Sequence, residues 1–340
     1  MTNENRSVRT GRTPGRFSRR EFLGFGAAGA AGLMLAGCTA AGGASGGKKL
    51  RVVYQPGTTT YAQLVIMEQE KWLAKDLPDY EVSWTQVDAG AAVRDAIVAG
   101  EADVGAGGIG PFLVGYDGGV DWRILSALND IELWLMVKED RYQSLEDFGP
   151  KDKIAVVAPD SIQAIVLRKA AEEQLGDPHA LDNNLVSLPA PDSVQALISG
   201  QIAAHFTAPP FQFQEQDRGA RPIVKSFDQF GRHNLISIWV LQDFHDANQE
   251  AMQALWSNFQ KATKLINDNP KKAGKILAKV SQIDPAEETR YLTEKNVYFG
   301  AAPHGFISFA EFMKRADLIQ QVPGSWEDLV YDNLKNTDGS

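Results

Sequence analysis

From residue 49 onward, short stretches of alternating or mostly apolar residues are followed by longer stretches in which apolar residues recur every three or four positions. The short stretches predict strands at 50–54, 81–87, 102–106, 154–158 and 202–206. The longer stretches predict helices at about 59–75, 91–99, 161–175 and 194–199. Because strands and helices alternate along the chain, the pattern predicts an α/β fold.

An internal sequence similarity indicates that the chain contains two halves with the same order of elements. The segment 96–102 (AIVAGEA) resembles 196–202 (ALISGQI), and each is followed, one strand later, by a Pro-Phe pair. Proline is favoured in the first turn of a helix, so each half predicts a strand, a tight loop and an exposed helix N-terminus. Apolar segments near 133–137 and 235–241 are predicted as the two crossings between lobes. We therefore expect lobe 1 at 49–135 plus 238–340 and lobe 2 at 136–237.

Four loops follow predicted strands, and these loops carry the candidate ligand contacts. In open α/β sheets, ligands bind outside the carboxyl ends of the strands, so two facing lobes would bring the four loops to one cleft. The candidate ligand-binding residues are Gln55, Thr58, Thr59, Gly108, Ile109, Asn129, Pro159, Asp160, Ser161, Thr207 and Pro209. Candidate aromatic walls are Tyr54, Trp84, Phe206 and Phe211. Each has a structural alternative, because Ser, Thr and Asp also cap helices, while Gly and Pro shape turns.

The N-terminus is basic and then apolar, and it ends in Leu35-Ala36-Gly37-Cys38. The apolar stretch 22–36 is too short to span a membrane, which takes about 20 residues. Leu-Ala-Gly-Cys resembles a bacterial lipobox, and the Arg19-Arg20 pair resembles a twin-arginine export signal. We expect a signal peptide at 1–37 and a lipidated linker at 38–48. Cys38 would anchor the exported protein to the outer face of the cytoplasmic membrane, in the periplasm or cell envelope.

Composition narrows the function further. Cys38 is the only cysteine of the 340 residues, so the chain can form no internal disulfide. The whole chain has a net charge of −9, and without the six arginines and two glutamates of 1–37 it has 28 basic and 41 acidic residues. This acidic character argues against nucleic acid as a partner. The five histidines lack the tight spacing of metal ligands, so we expect no metal, no cofactor and no catalytic site.

Three segments carry a family resemblance that covers nearly all of 49–332. They are 96–105 (AIVAGEADVG), 144–148 (SLEDF) followed by 153–156 (KIAV), and the Gly200 passage. In this order, behind a lipobox, they resemble the substrate-binding proteins of ABC importers of the nitrate/sulfonate/taurine type. The resemblance implies a type II periplasmic-binding-protein fold, in which the chain crosses twice between lobes that close about a hinge. It also implies binding without bond chemistry, a monomer, and an ABC permease with its ATPase complex as partner.

The expected ligand is a small sulfonate-like or nitrate-like oxyanion. Helix N-termini supply unpaired N–H groups and the positive end of the helix dipole, so they can hold an oxyanion without a formal countercharge. A thiamine-pyrimidine precursor or another neutral heterocycle remains an alternative, because none of the four loops contains Lys or Arg. Asp160 would also repel an anion unless it is turned away from the cleft. A sensor without transport and a pyrimidine-forming enzyme on the same fold are alternatives of another class.

Overall fold

Two mixed sheets organise the computed structural model, which describes residues 47–340. The sheets contain eleven strands within this range: β1 (Lys48–Tyr54), β2 (Tyr80–Gln86), β3 (Val104–Gly107), β4 (Trp122–Ile131), β5 (Trp134–Val137), β6 (Ile154–Val156), β7 (Leu185–Ser187), β8 (Ala204–Thr207), β9 (Arg221–Lys225), β10 (Asn234–Leu241) and β11 (Val297–Phe299). The larger sheet has the order β11-β4-β10-β3-β1-β2, and the smaller one has the order β7-β6-β8-β5-β9. Alternating strands and helices confirm the predicted α/β class.

The internal similarity of the sequence has a direct counterpart in the sheets. In the larger sheet, β1 pairs in parallel with β2 and β3, and β3 pairs antiparallel with β10. In the smaller sheet, β6 pairs in parallel with β7 and β8, and β8 pairs antiparallel with β5. Both sheets therefore contain the same four-strand arrangement, so the carboxyl ends of β1 and β3 correspond to those of β6 and β8.

Helices cover the sheets and form the C-terminal part of the chain. They are α1 (Ala62–Gln69), α2 (Trp72–Asp76), α3 (Gly90–Val98), α4 (Ile109–Asp117), α5 (Ile162–Leu175), α6 (Ala190–Ile198), α7 (Phe211–Gln216), α8 (Ser226–Phe230), α9 (Gln242–Ala247), α10 (Gln249–Asp268), α11 (Pro270–Ser281), α12 (Pro285–Leu292) and α13 (Phe306–Arg315). The single helix predicted at 59–75 is wrong, because the structure has two helices there. Lys71 has a φ of 55°, and this left-handed residue separates α1 from α2.

The chain changes sheets twice, between β4 and β5 and between β9 and β10. We name residues 47–131 and 234–340 the first lobe and residues 134–230 the second lobe, with short crossings at 132–133 and 231–233. The hinge function of these crossings and the boundaries of the lobes as domains stay predictions. The predicted signal peptide, most of the predicted linker and Cys38 lie outside the described residues.

Aromatic packing fills the core of the first lobe. Phe112 in α4 stacks on Trp122 in β4 at 5.4 Å between ring centroids, and Trp239 in β10 packs at 5.2 Å from Trp122. Gly107 makes this possible, because a Cβ there would lie 2.5 Å from the Trp239 ring. This packing fixes the end of β3, from which α4 begins. Across residues 47–340, no helix combines the length with the apolar character that a membrane span requires.

Candidate functional site

Four loops meet in a cavity of about 70 Å³ between the two lobes. They follow the carboxyl ends of β1, β3, β6 and β8, as the internal similarity predicts. The lining residues are Gln55, Pro56, Thr60, Tyr61, Gly90, Gly108, Pro111, Val157, Ser161, Ile162, Gln163, Ala190, Thr207, Ala208, Pro209, Phe211, Leu235 and Ile236. This volume exceeds the roughly 10–15 Å³ that one water molecule needs, so the cavity has room for a small solute group.

The structure brings five of the eleven candidate residues to the cavity wall: Gln55, Gly108, Ser161, Thr207 and Pro209. Ser161 also caps α5, because its hydroxyl accepts a hydrogen bond from the Ala164 N–H at 3.3 Å and donates to the Ala158 carbonyl at 2.6 Å. The alternative role of Ser161 as a helix cap is therefore present in this structure. Of the four candidate aromatic walls, only Phe211 is among the described lining residues.

The other candidates lie behind the wall. The Thr58 hydroxyl donates to Glu288 Oε1 at 2.8 Å, and the Thr59 and Ile109 side chains are fully buried. Asn129 is also buried, and its amide donates to the Thr60 carbonyl at 2.7 Å. These residues support the loops, and none of them lines the cavity.

Pro159 and Asp160 are held by arginines outside the cavity. The Pro159 carbonyl accepts a hydrogen bond from Arg168 Nη1 at 2.7 Å. Asp160 Oδ2 accepts a hydrogen bond from Arg94 Nη1 at 3.0 Å, so the positive charge of Arg94 compensates the negative charge of the Asp160 carboxylate. Asp160 is thus turned away from the cavity, which removes the objection that it would repel an anion.

Five helices of at least eight residues begin at the cavity: α1, α3, α4, α5 and α6. The first N–H groups of a helix have no intrahelical partner, and the helix dipole places positive charge at this end. Among the described lining residues, none carries a formal charge. The cavity therefore combines partly positive backbone ends with uncharged side chains.

Local sequence signals predicted the starts of α4 and α5 at the cavity. A signal for α6 was present, since Pro191 lies in its first turn, where proline is favoured. No comparable signal marked Gly90 at the start of α3. The orientation of this helix toward the second lobe depends on tertiary packing.

Two further side chains of the cavity wall, Thr60 and Tyr61, were not among the candidates from the sequence. The Thr60 hydroxyl donates to the Pro209 carbonyl at 2.6 Å, which joins the two lobes directly. The Tyr61 hydroxyl donates to Gln55 Oε1 at 2.9 Å and so holds the Gln55 side chain. Burial raises the pKa of Tyr61, so this hydroxyl remains a donor at neutral pH. The run of three threonines at 58–60 marked the loop, but it could not show which threonine faces the other lobe.

The lobes are closed on each other at several points besides Thr60. Gly110 in α4 approaches the Asp160 carbonyl so closely that a Cβ at Gly110 would lie 2.5 Å from the oxygen. On another side of the interface, Phe230 in α8 stacks on Phe309 in α13 at 3.8 Å between centroids. These contacts hold the two lobes together on different sides of the interface.

Comparisons with known proteins place this geometry in a family. The sequence matches the model of the NMT1-like family over residues 43–281. No curated protein sequence matches the chain. Among solved structures, the chain is similar to the alkanesulfonate-binding protein SsuA from Xanthomonas axonopodis pv. citri bound to MOPS, with a TM-score of 0.68 and 19% identity over 83% of this chain and 98% of that one.

Two further solved structures show the same likeness. The periplasmic aliphatic sulphonate binding protein SsuA from Escherichia coli has a TM-score of 0.64 and 17% identity over 84% of this chain and 98% of that one. The periplasmic nitrate-binding protein NrtA from Synechocystis PCC 6803 has a TM-score of 0.68 and 15% identity over 84% and 86%. At these identities the likeness shows the fold, and it confirms the predicted type II periplasmic-binding-protein architecture.

Proposed function

The chain belongs to the NMT1-like family, and from this premise we propose that it is the extracytoplasmic solute-binding protein of an ABC importer. Its ligand is a small oxyanion, with a sulfonate that has a short apolar tail as the best fit. The closed lobes with their ligand are the form that the permease and its ATPase complex accept. Closure by ligand contacts shifts a population from open to closed lobes, which requires no bond chemistry.

The observation that carries the proposal is the convergence of five helix N-termini on a cavity between the two lobes. Backbone N–H groups at helix N-termini bind anions because both their hydrogen-bond donors and the helix dipole favour negative charge. A nitrate or sulfonate group distributes one charge over three oxygens, which suits several donors from different directions. Such a group needs no lysine or arginine partner in the wall.

Apolar side chains in the same wall favour a short tail on the anion. Val157, Ile162, Leu235, Ile236 and Phe211 all line the cavity. An ammonium group on the tail would lose its hydration there and would meet no carboxylate among the described lining residues. We therefore propose that ethanesulfonate binds more tightly than taurine, its amino-substituted analogue.

A neutral heterocycle, such as a thiamine-pyrimidine precursor, is the second candidate. It is favoured by the uncharged wall and by the Tyr61 and Phe211 rings, which offer aromatic surface. A sensor that uses the same closure without transport would bind the same ligand. Deletion of the permease would leave its response intact. For this chain we propose binding and not catalysis, since the wall consists of uncharged side chains without cysteine or histidine.

Titration calorimetry on the mature, detergent-solubilised protein tests the proposal. The solutes are ethanesulfonate, taurine, nitrate, phosphate and an aminopyrimidine. Saturable heat with ethanesulfonate or nitrate supports the oxyanion proposal. Heat with the aminopyrimidine alone selects the second candidate, and no heat with any of these solutes rejects both.

The remaining expectations concern the location and assembly of the protein. We propose that residues 1–37 are removed, that Cys38 receives the lipid anchor, and that the protein stays on the outer face of the cytoplasmic membrane as a monomer. The support is the lipobox-like Leu35-Ala36-Gly37-Cys38 sequence. Mass measurement by light scattering on the solubilised protein, corrected for detergent, tests the monomer.

A further inference from the structure

Three ion pairs join the two lobes, and all three have the same polarity. Arg94 Nη1 lies 3.0 Å from Asp160 Oδ2, Arg290 Nη2 lies 2.6 Å from Asp217 Oδ2, and Arg315 Nη2 lies 3.2 Å from Glu172 Oε2. The arginine belongs to the first lobe in each pair, and the carboxylate belongs to the second lobe. The faces that meet on closure are thus complementary in charge.

The pairs are distributed around the interface. Arg94 lies in α3 and Asp160 directly precedes Ser161, so this pair links two helices whose starts line the cavity. Arg290 in α12 reaches Asp217, which follows α7. Arg315 ends α13 and makes two hydrogen bonds to Glu172 in α5, with Nε and Nη2 each at 3.2 Å from a carboxylate oxygen.

Each pair also has an alternative partner within one lobe. Arg94 Nε lies 3.1 Å from Asp95, Arg290 Nη2 lies 3.4 Å from Glu287, and Lys169 Nζ lies 3.7 Å from Glu172. When the lobes separate, one member of each pair, namely Arg94, Arg290 or Glu172, therefore keeps an opposite charge nearby. This lowers the cost of opening, so the ion pairs bias the equilibrium without locking it.

We propose that these three pairs, the inter-lobe ion pairs, set the ratio of closed to open protein, and that Arg94 is the positioning residue that couples closure to the ligand. The coupling follows from its place, because Arg94 holds the Asp160 loop, which leads into the α5 N-terminus at the cavity wall. The effect of this inference on ligand binding rests on the proposed function. If the closed lobes bind the ligand, a change in the closed fraction changes the apparent ligand affinity by the same factor.

The size of the effect follows from exposure. The Arg94 and Asp160 side chains are 20% and 26% exposed, and the other two pairs are more exposed on at least one side. A single pair of this kind changes an equilibrium constant by about 1.4- to 5-fold, and distant pairs add in free energy. Neutralising all three should thus lower the closed-to-open ratio by about 3- to 125-fold.

The test measures lobe separation without any ligand. Spin labels at Val98→Cys in the first lobe and Gln201→Cys in the second give a distance distribution for the full mature chain. Asp160→Arg should move the population to the open distance, and the charge swap Arg94→Glu with Asp160→Arg should restore the closed one. Asp95→Arg is the matched control, because it makes the same charge change beside Arg94 within one lobe, and it should not open the lobes.

A second measurement uses salt. Raising the ionic strength from about 0.05 to 0.5 M shortens the screening length severalfold, so the closed fraction should fall in the native chain but not in the triple variant Asp160→Asn, Asp217→Asn, Glu172→Gln. Equal opening by Asp160→Arg and Asp95→Arg, or a swap that stays open, overturns the inference. Because no solute is added, failure of ethanesulfonate to bind would reject the proposed ligand and leave this result standing.

Discussion

Replacing Gly110 by alanine should prevent full closure while leaving each lobe intact. An ideal Cβ at Gly110 would lie 2.5 Å from the Asp160 carbonyl oxygen and would also overlap the Ile165 side chain. Both groups belong to the second lobe, whereas Gly110 belongs to the first. The added methyl group therefore meets an obstacle only when the lobes are closed.

The free-energy cost of the Gly110→Ala substitution follows from the distance to the Asp160 carbonyl oxygen. Real Cβ atoms essentially never approach another heavy atom within 3.0 Å, so the two backbones must separate by about 0.5 Å or more. Overpacking by one methyl group costs about 1–3 kcal/mol. If this cost falls on the closed state alone, ligand affinity drops by roughly 5- to 150-fold. Alanine is also the better helix former, by up to about 1 kcal/mol, so the open protein should lose no thermal stability.

The assay combines titration calorimetry with ethanesulfonate, thermal unfolding and small-angle scattering. Gly118→Ala at the other end of α4 is the matched control. Its Cβ would lie 3.4 Å from two carbonyl oxygens of its own helix, and its φ of −73° suits alanine. Native affinity in Gly110→Ala, together with a native scattering profile, would refute the reasoning, because the closed contact would then not exist in solution.

Three further predictions follow from single groups. Burial lowers the pKa of His233 to about 4. The native protein should therefore lose up to about 3 kcal/mol of unfolding free energy as the pH falls from about 6.5 to 4. In urea titrations over that range, the His233→Gln variant should lose less. Equal slopes for the two proteins would contradict this. Thr58→Val leaves Glu288 without its buried hydroxyl partner and should cost about 1–3 kcal/mol in the same assay, whereas the exposed Thr293→Val should cost less. Cys38→Ser should remove acyl labelling and release the protein from membranes in fractionation, and a variant that remains membrane-bound would reject the anchor.

His304 should change the pH dependence of stability in the opposite direction to His233 and serves as a control for it. Its hydrogen bond to Asp130 raises the pKa of His304, with Nδ1 at 2.7 Å from Oδ2. A raised pKa stabilises the fold fully below about pH 6.5, and this contribution disappears as the pH rises through the folded-state value. His304→Gln should therefore flatten the stability profile above pH 6.5, while His233→Gln flattens it below.

Local patterns were sufficient for the alternation of strands and helices and for the position of the site in the chain. Apolar spacing marked β1, β2, β3, β6 and β8. The buried face of α10 contains Met252, Leu255, Phe259, Ala262 and Ile266 at helical intervals. The helix predicted at 59–75 failed because no local signal marked Lys71 as a left-handed residue. The loops after β1, β3, β6 and β8 were predicted because glycine and proline follow strand ends there.

The sequence by itself determined the two similar halves, the four loops at strand ends and the uncharged character of most of their residues. Those properties depend on neighbours in the chain, whose geometry is set by backbone periodicity and turn chemistry. Only the tertiary structure decided that Thr60 faces the cavity while Thr58 binds Glu288, and that Asp160 pairs with Arg94. These choices depend on contacts between residues 66 to 230 positions apart. The Thr58–Glu288 contact exists only after the two chain segments of the first lobe have folded together, and the other two contacts exist only after the lobes have packed against each other.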